Sequence, residues 1–194
     1  MNPENDPLLL AREAVRQASA QARLAGLGEI VAAVAGQPGG EAPQASAALP
    51  VPAAPEEGLA ALLAESLARE PDIASFTGQD GETKYHMPAL LSRHYAGILD
   101  RRGDKAELIA AEVRINSRDY PRPVRLELFE CPPFALAPEE ISAALKAMAA
   151  SEAYADIRFT QSPEGAVYLF STRHLTREYA SFLARRDEDM AGNP

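Results

Sequence analysis

Apolar side chains recur at the spacing of one helix face through the first part of the chain. Asp6 suits the N-cap and Pro7 the first helical position, so the pattern predicts a helix over residues 7–34. Most of this face is alanine, which buries little area, and we expect the helix to be marginal until it meets a partner. Leu8 and Val15 are then candidate partner-binding residues, because an apolar stripe of this kind docks into a groove. The stripe consists of Leu8, Ala11, Val15, Ala18 and Ala22.

Periodicity disappears over residues 35–57, where proline, alanine, glycine and serine dominate, and this composition predicts a disordered linker. The segment that follows, 58–103, is predicted to be mainly helical, with helices over 58–69 and 88–101. Residues 73–85 fit either a hairpin around the turn sequence GQDG or a plain loop. The larger apolar residues concentrate in the later part of the chain, after about residue 85, and we expect the hydrophobic core there.

From Asp104 onward the pattern predicts a helix, a short strand, two helices and a hairpin. This order resembles the winged-helix family over residues 104–173. The resemblance implies a winged-helix-like domain, which with a C-terminal helix occupies 104–186. For the whole chain we predict an α+β, mostly helical fold, with a disordered tail over 187–194. A ferredoxin-like arrangement is the alternative, with residues 122–130 as one longer strand. The predicted elements are helix 105–117, extended segment 122–126, helices 126–130 and 138–151, and strands 155–161 and 166–172.

Charge argues against sequence-specific DNA binding by this domain. The chain has a formal net charge of −9, which repels phosphate unless the basic groups gather on one face. In a DNA-reading winged helix, the second helix of the motif presents its side chains to base edges. Here that helix opens with Glu139 and Glu140 and has Lys146 as its single basic residue, and the hairpin turn carries Glu164. We therefore expect a protein partner rather than DNA.

Arginines outside these two elements form two groups, in the sequences RINSRDYPRPVR and RHLTREYASFLARR. Such groups are either solvated helix ends or a docking patch for an acidic protein surface. A docking patch of this kind would also contact phosphate, which keeps a DNA-binding transcription regulator open as the alternative function. The candidate partner-binding residues are Arg114, Arg118, Arg122, Arg125, Arg173 and Arg177.

Residues suited to catalysis or metal binding are sparse, and we expect no enzymatic activity, cofactor or metal site. Cys131 is the single cysteine, and we expect it to be a small buried apolar residue. His86 and His94 lack the i, i+4 spacing of a helical metal site, and we expect His86 to be partly buried at the start of a helix. The first residues do not form a secretory signal, and no apolar stretch approaches the roughly 20 residues that cross a bilayer. We expect a soluble, cytoplasmic protein.

Two segments carry a more specific resemblance. The sequences YHMPALLSRHYAGIL and VYLFSTRHLTREYASFL, within about 85–185, are similar to the YdhW family of oxidoreductase-system proteins. The Pro-headed helix and compact hairpin over about 134–172 also resemble a DsrD-like winged-helix pattern. The YdhW resemblance implies an accessory protein that binds a partner protein, such as a subunit of an anaerobic redox enzyme whose cofactors belong to the partner. It brings no catalytic or cofactor-binding residues to this chain.

Overall fold

The computed structural model describes residues 6–36 and 55–191. Helices and two three-stranded antiparallel sheets make up these residues, which confirms the α+β, mostly helical class. The chain divides into two compact units, Met1–Asp100 and Arg101–Pro194. The elements up to the boundary are α1 (Pro7–Ala20), β1 (Ala25–Gly26), α2 (Leu27–Ala35), α3 (Pro55–Ala68), β2 (Ala74–Thr77), β3 (Thr83–His86) and α4 (Arg93–Arg101). The second unit continues with α5 (Lys105–Asp119), β4 (Val124–Arg125), a 3-10 helix (Leu126–Glu130), α6 (Pro138–Ala149), a 3-10 turn (Glu152–Tyr154), β5 (Ile157–Gln161), β6 (Val167–Ser171) and α7 (Arg177–Ala191).

The N-terminal segment forms two helices rather than the single helix predicted over residues 7–34. α1 ends at Ala20, and Ala22 takes a left-handed conformation with φ 53°. The Arg23 N–H donates to the Ala18 carbonyl at 2.8 Å, which satisfies a carbonyl at the end of the helix. This reversal lets β1 pair with β3 before α2 begins.

The apolar face of α1 packs inside the first unit, against α2, α3 and β3. Val15 is fully buried and Leu8 is partly buried against the same core, so neither residue belongs to an exposed partner-binding stripe. The core also begins earlier than expected, because small alanine side chains let the three helices approach closely. The buried residues of this core are Ala11, Val15, Ala18, Ala25, Ile30, Leu63, Leu67 and Tyr85.

Residues 73–85 contain a hairpin rather than a plain loop. β2 and β3 pair antiparallel, from Ala74 opposite His86 to Thr77 opposite Thr83. In the turn, the Glu82 N–H donates to Asp80 Oδ1 at 2.9 Å, and Gly81 has φ 81°, a conformation that glycine adopts without a steric penalty. The hairpin places buried Tyr85 and His86 next to α1, where the Met87 N–H donates to Ser19 Oγ at 2.9 Å.

Helix α4 begins at Arg93, later than the predicted start at residue 88. The Leu91 N–H donates to the Met87 carbonyl at 2.9 Å, and Ser92 Oγ accepts from the Tyr95 N–H at 3.2 Å. Ser92 thus acts as the N-cap, because its hydroxyl accepts a hydrogen bond from an N–H group in the first turn of the helix. Residues 37–54, which hold most of the predicted linker, lie outside the described residues.

The second unit has the predicted order of elements. Asp104 caps α5 by accepting from the Ala106 and Glu107 N–H groups, both at 3.0 Å. Strand β4 is short because prolines precede it, and the 3-10 helix starts at the next residue. The ferredoxin-like alternative, with 122–130 as one strand, is therefore wrong. The sheet order is β4-β6-β5, with Val124 opposite Leu169 and Phe159 also opposite Leu169.

The interior of the second unit is built from apolar side chains of its helices and strands. Ile109 and Val113 of α5 are fully buried, and so is Phe129, which meets Phe134 edge-on with ring centroids 5.1 Å apart. Two predictions fail in this unit. Cys131 is exposed rather than buried, because it follows the last residue of the 3-10 helix as the chain turns away. α7 continues to Ala191, so the predicted tail is helical up to there, and residues 192–194 lie outside the described residues.

Candidate partner-binding surfaces

Two of the predicted binding arginines serve the interior of the second unit. Arg114 Nη2 lies 2.7 Å from Asp156 Oδ1 and its Nε donates to Asp156 Oδ2 at 3.1 Å. Arg173 Nη2 lies 3.3 Å from the same Oδ1 atom. The Arg114 hydrogen bond holds the pKa of the buried Asp156 carboxyl down to about 2. This carboxylate fixes α5 to the start of the hairpin, so Arg114 is a structural residue rather than part of a docking patch.

The other predicted arginines differ in what surrounds them. Arg118 Nε lies 2.7 Å from Asp119 Oδ1, and Arg125 Nε lies 3.1 Å from Glu127 Oε2, so each is neutralised by an exposed carboxylate. Arg177 is exposed at the start of α7. Arg122 donates from Nε to Asn116 Oδ1 at 3.1 Å, and its guanidinium lies 5.3 Å from the Tyr120 ring centroid. The structure therefore does not gather the six predicted arginines into one continuous basic surface.

The helix that would read DNA keeps the acidic N-terminus that the sequence predicted. Glu139 and Glu140 are exposed in the first turn of α6. Glu140 Oε2 accepts from the Ala137 N–H at 3.0 Å, which caps the helix. Lys146, near the other end of α6, is exposed. The charged residues of the first turn repel phosphate where base contacts are usually made.

An apolar groove of about 680 Å³ lies between α6 and the β5–β6 hairpin. Its walls come from side chains of the 3-10 helix, α6, β5 and β6. Arg158 and Glu152 stand among the lining residues as its charged groups. Its apolar lining includes Leu126, Leu145, Met148, Tyr154, Ile157, Phe159, Val167 and Leu169.

Phe159 is the most exposed large apolar side chain of this groove, with 60% of its surface accessible. It sits opposite Leu169 in the sheet, and strand alternation directs it away from Thr160, whose hydroxyl lies 2.8 Å from Ser181 Oγ of α7. The sequence analysis did not predict this site. The phenylalanine of IRFTQ, at an alternating position of the strand, is the one feature that could have indicated it. The volume and apolar lining are those of a concave binding site.

Among residues 6–36 and 55–191, no group of three or more His, Cys, Asp and Glu side chains is arranged to hold a metal ion. His86 is buried, and its two ring nitrogens have no hydrogen-bond partner in the part of the chain that the structure describes. The Phe76 ring meets it edge-on, with 5.9 Å between ring centroids. Burial lowers the pKa of His86, and the positive charge of Arg93 adds to that effect. Across the same described residues, the helices are too short or too polar to span a bilayer.

Comparison with known proteins points to one family. Residues 103–191, most of the second unit, match the family model of the YdhW C-terminal domain. The Escherichia coli K12 protein named "Uncharacterized protein YdhW" is 35% identical over 107 residues, which are 54% of this chain and 49% of that protein. The chain thus spans about half the length of that curated relative. Both matches support the resemblance to the YdhW family, and no solved structure matched the chain.

Proposed function

We propose that this protein is a non-catalytic accessory protein that binds a partner protein through the apolar groove of its second unit. The single observation that carries the proposal is the groove itself, which has an open apolar lining and leaves Phe159 60% exposed. An exposed aromatic beside a cavity of this kind is typical of an interaction surface, since it loses its contact with water only when a partner covers it. The occupant with fitting chemistry is the apolar face of a partner's amphipathic helix.

The order of elements and the β4-β6-β5 sheet support treating the second unit as a winged-helix module. In this proposal the groove lies between the second helix of the motif and the hairpin, at the place where a DNA-reading relative would approach the duplex. The acidic first turn of α6 favours a protein at that place over a phosphate backbone. The YdhW resemblance adds the proposal that the partner belongs to an anaerobic oxidoreductase system in the cytoplasm and carries the redox cofactors itself.

A capture experiment with paired variants tests the groove. The tagged chain is purified under mild conditions from anaerobically grown source cells, the recovered proteins are identified by mass spectrometry, and the complex is rebuilt from purified components. We expect Phe159→Glu to abolish the rebuilt complex, because a carboxylate in the groove is costly to bury. Phe182→Glu is the matched control, since Phe182 is 57% exposed on α7, outside the groove lining.

Equal assembly by both variants would reject the groove as the partner site. The remaining candidate is a DNA-binding regulator, which the winged-helix element order favours and the charge of α6 opposes. Duplex DNA retained at low salt and lost steeply as salt rises, together with no protein partner, would support that function instead.

A further inference from the structure

A second concave site, here called the basic cleft, lies apart from the apolar groove. It has a volume of about 420 Å³ and shares no lining residue with the groove. Tyr168 of β6 lines the cleft, whereas Val167 and Leu169 on either side of it line the groove. Because successive side chains of a strand point to opposite faces, the two sites use opposite faces of the sheet. The cleft is lined by Asn116, Arg122, Pro123, Val124, Arg125, Leu128, Tyr168, Leu183, Arg186 and Asp187.

The charge of the basic cleft is opposite to that of the chain. Three arginines and one carboxylate line it, in a protein whose formal net charge is −9. The carboxylate of Asp187 already accepts a hydrogen bond from the Tyr168 hydroxyl, at 3.0 Å. Arg125 faces Glu127, but Arg122 and Arg186 have no carboxylate partner among the residues that the structure describes. Among the described residues, the cleft therefore offers two guanidinium groups that are not paired directly with a carboxylate.

Arg122 is held in place by the neutral side chain of Asn116 and has no direct carboxylate partner among the described residues. Its Nε donates to Asn116 Oδ1 at 3.1 Å, and its backbone N–H donates to the Asn116 carbonyl at 3.4 Å. Asn116 is 4% exposed and in turn donates from Nδ2 to Glu112 Oε1 at 2.6 Å. This buried relay fixes the guanidinium through Nε and leaves the two terminal nitrogens for a ligand. A guanidinium fixed in this way loses little conformational entropy when it binds an anion.

The apolar side of the basic cleft distinguishes between classes of anion. Val124, Leu128 and Leu183 provide hydrocarbon surface next to the guanidinium groups. A nucleic acid backbone would bring several phosphates past the carboxylates of Asp187 and Glu127, which repel them. A peptide that carries one carboxylate beside an apolar side chain fits the charge, the volume and the hydrocarbon surface together.

We propose that the basic cleft is a second binding site, which takes a Glu or Asp side chain from an acidic, apolar-flanked peptide segment of a protein partner. The site is independent of the apolar groove, because no side chain is common to both linings. The terminal nitrogens of Arg122 bind the carboxylate, Arg186 adds a second positive charge, and Leu128 and Leu183 contact the neighbouring apolar side chain.

Fluorescence anisotropy with the full chain tests this site. The probes are a short dye-labelled peptide of alternating Glu and Leu, its Gln-for-Glu analogue, and a dye-labelled DNA duplex. We expect saturable binding of the Glu peptide, with affinity at least about tenfold weaker for the Gln analogue and for Arg122→Ala. Arg118→Ala is the matched control and should leave the affinity unchanged, because Arg118 pairs with Asp119 outside the cleft.

Two further variants separate loss of binding from misfolding and separate the basic cleft from the apolar groove. Arg186→Ala repeats the test at a position on the surface of α7, in case Arg122→Ala impairs folding, which circular dichroism reports. Phe159→Glu should bind the peptide as well as the unmodified chain does, which separates this site from the proposed function. Equal affinity for the Glu and Gln peptides, equal losses in Arg118→Ala and Arg122→Ala, or tighter binding of the duplex would each overturn the proposal.

Discussion

Arg114 of α5 and Asp156 at the start of the hairpin form a two-point ion pair, with Nη2–Oδ1 of 2.7 Å and Nε–Oδ2 of 3.1 Å. Ser171 adds a third hydrogen bond by donating from Oγ to Asp156 Oδ2 at 2.7 Å. The Asp156 side chain is 6% exposed, so these contacts replace its hydration almost completely. This one carboxylate ties together a helix and both strands of the hairpin, elements that are far apart in sequence.

Replacing Asp156 by Asn should destabilise the protein by about 2–4 kcal/mol, since Arg114 then loses its two short contacts with a carboxylate and keeps only the longer one with Glu107, at 3.8 Å. Urea denaturation followed by circular dichroism measures the change. Asp119→Asn is the control and should change the stability little, because the Arg118–Asp119 pair is exposed and screened by solvent. Equal shifts in the two variants would show that Asp156 is not a structural anchor.

Lowering the pH should destabilise the protein partly by protonating the Asp156 carboxylate. The ordinary pKa of an aspartate carboxyl, 3.8, falls to about 2 for Asp156 because Arg114 donates to it. The unfolded chain therefore binds the proton at higher pH than the folded chain does. The stabilisation is present above pH 3.8 and is lost as pH falls towards 2, and it amounts to about 2 kcal/mol. The urea midpoint measured through this window should fall less steeply for Asp156→Asn than for the unmodified chain.

His86 should give a second pH dependence in a higher range. Burial lowers its pKa below the ordinary 6.5, so the unfolded chain takes up a proton that the folded chain resists. Stability is therefore full above pH 6.5 and declines as pH falls below it. We expect His86→Phe to flatten this decline and to leave stability at pH 7.5 equal or slightly higher, because two unpartnered buried nitrogens are removed.

Exposed His94 provides the control for that measurement. His94→Gln should retain the decline of the urea midpoint between pH 7.5 and 5.5. If His86→Phe keeps the same pH dependence as the unmodified chain, or if His94→Gln loses it, the decline does not arise from His86.

Val15→Ala should lower the free energy of unfolding by about 2 kcal/mol, because Val15 is fully buried and its truncation leaves a cavity. Leu9→Ala on the same helix should cost less than about 0.5 kcal/mol, since Leu9 is 48% exposed. Thermal unfolding of the three proteins compares them directly. Similar melting temperatures for Val15→Ala and the unmodified chain would instead favour α1 as an exposed partner-binding helix.

The order of elements in the second unit was predictable because its signals are local. Prolines and helix caps act within a few residues, as Asp104 does for α5, and the alternating strands around SPEG give the hairpin directly. Helix ends were less predictable: Pro88 suggested a start at residue 88, whereas α4 begins at Arg93 after its N-cap Ser92.

The candidate sites were harder to predict from the sequence. A residue's charge or apolar character does not show which residues surround it in the folded protein. Arg114 and Arg122 look alike in RINSRDYPRPVR, yet one is paired with Asp156 and the other is held by neutral Asn116. Phe159 alternates like any strand residue, and its exposure depends on how far α6 extends over the sheet.

The sequence by itself determined the α+β class, the helix and strand order after Asp104, and the acidic start of α6, because propensity, capping and charge act along the chain. Tertiary structure alone decided that Val15 packs inside the first unit, that Arg114 anchors Asp156, and that the groove and the basic cleft lie on opposite faces of one sheet. Those outcomes depend on contacts between residues far apart in the chain, and such contacts leave no periodic signal in the sequence.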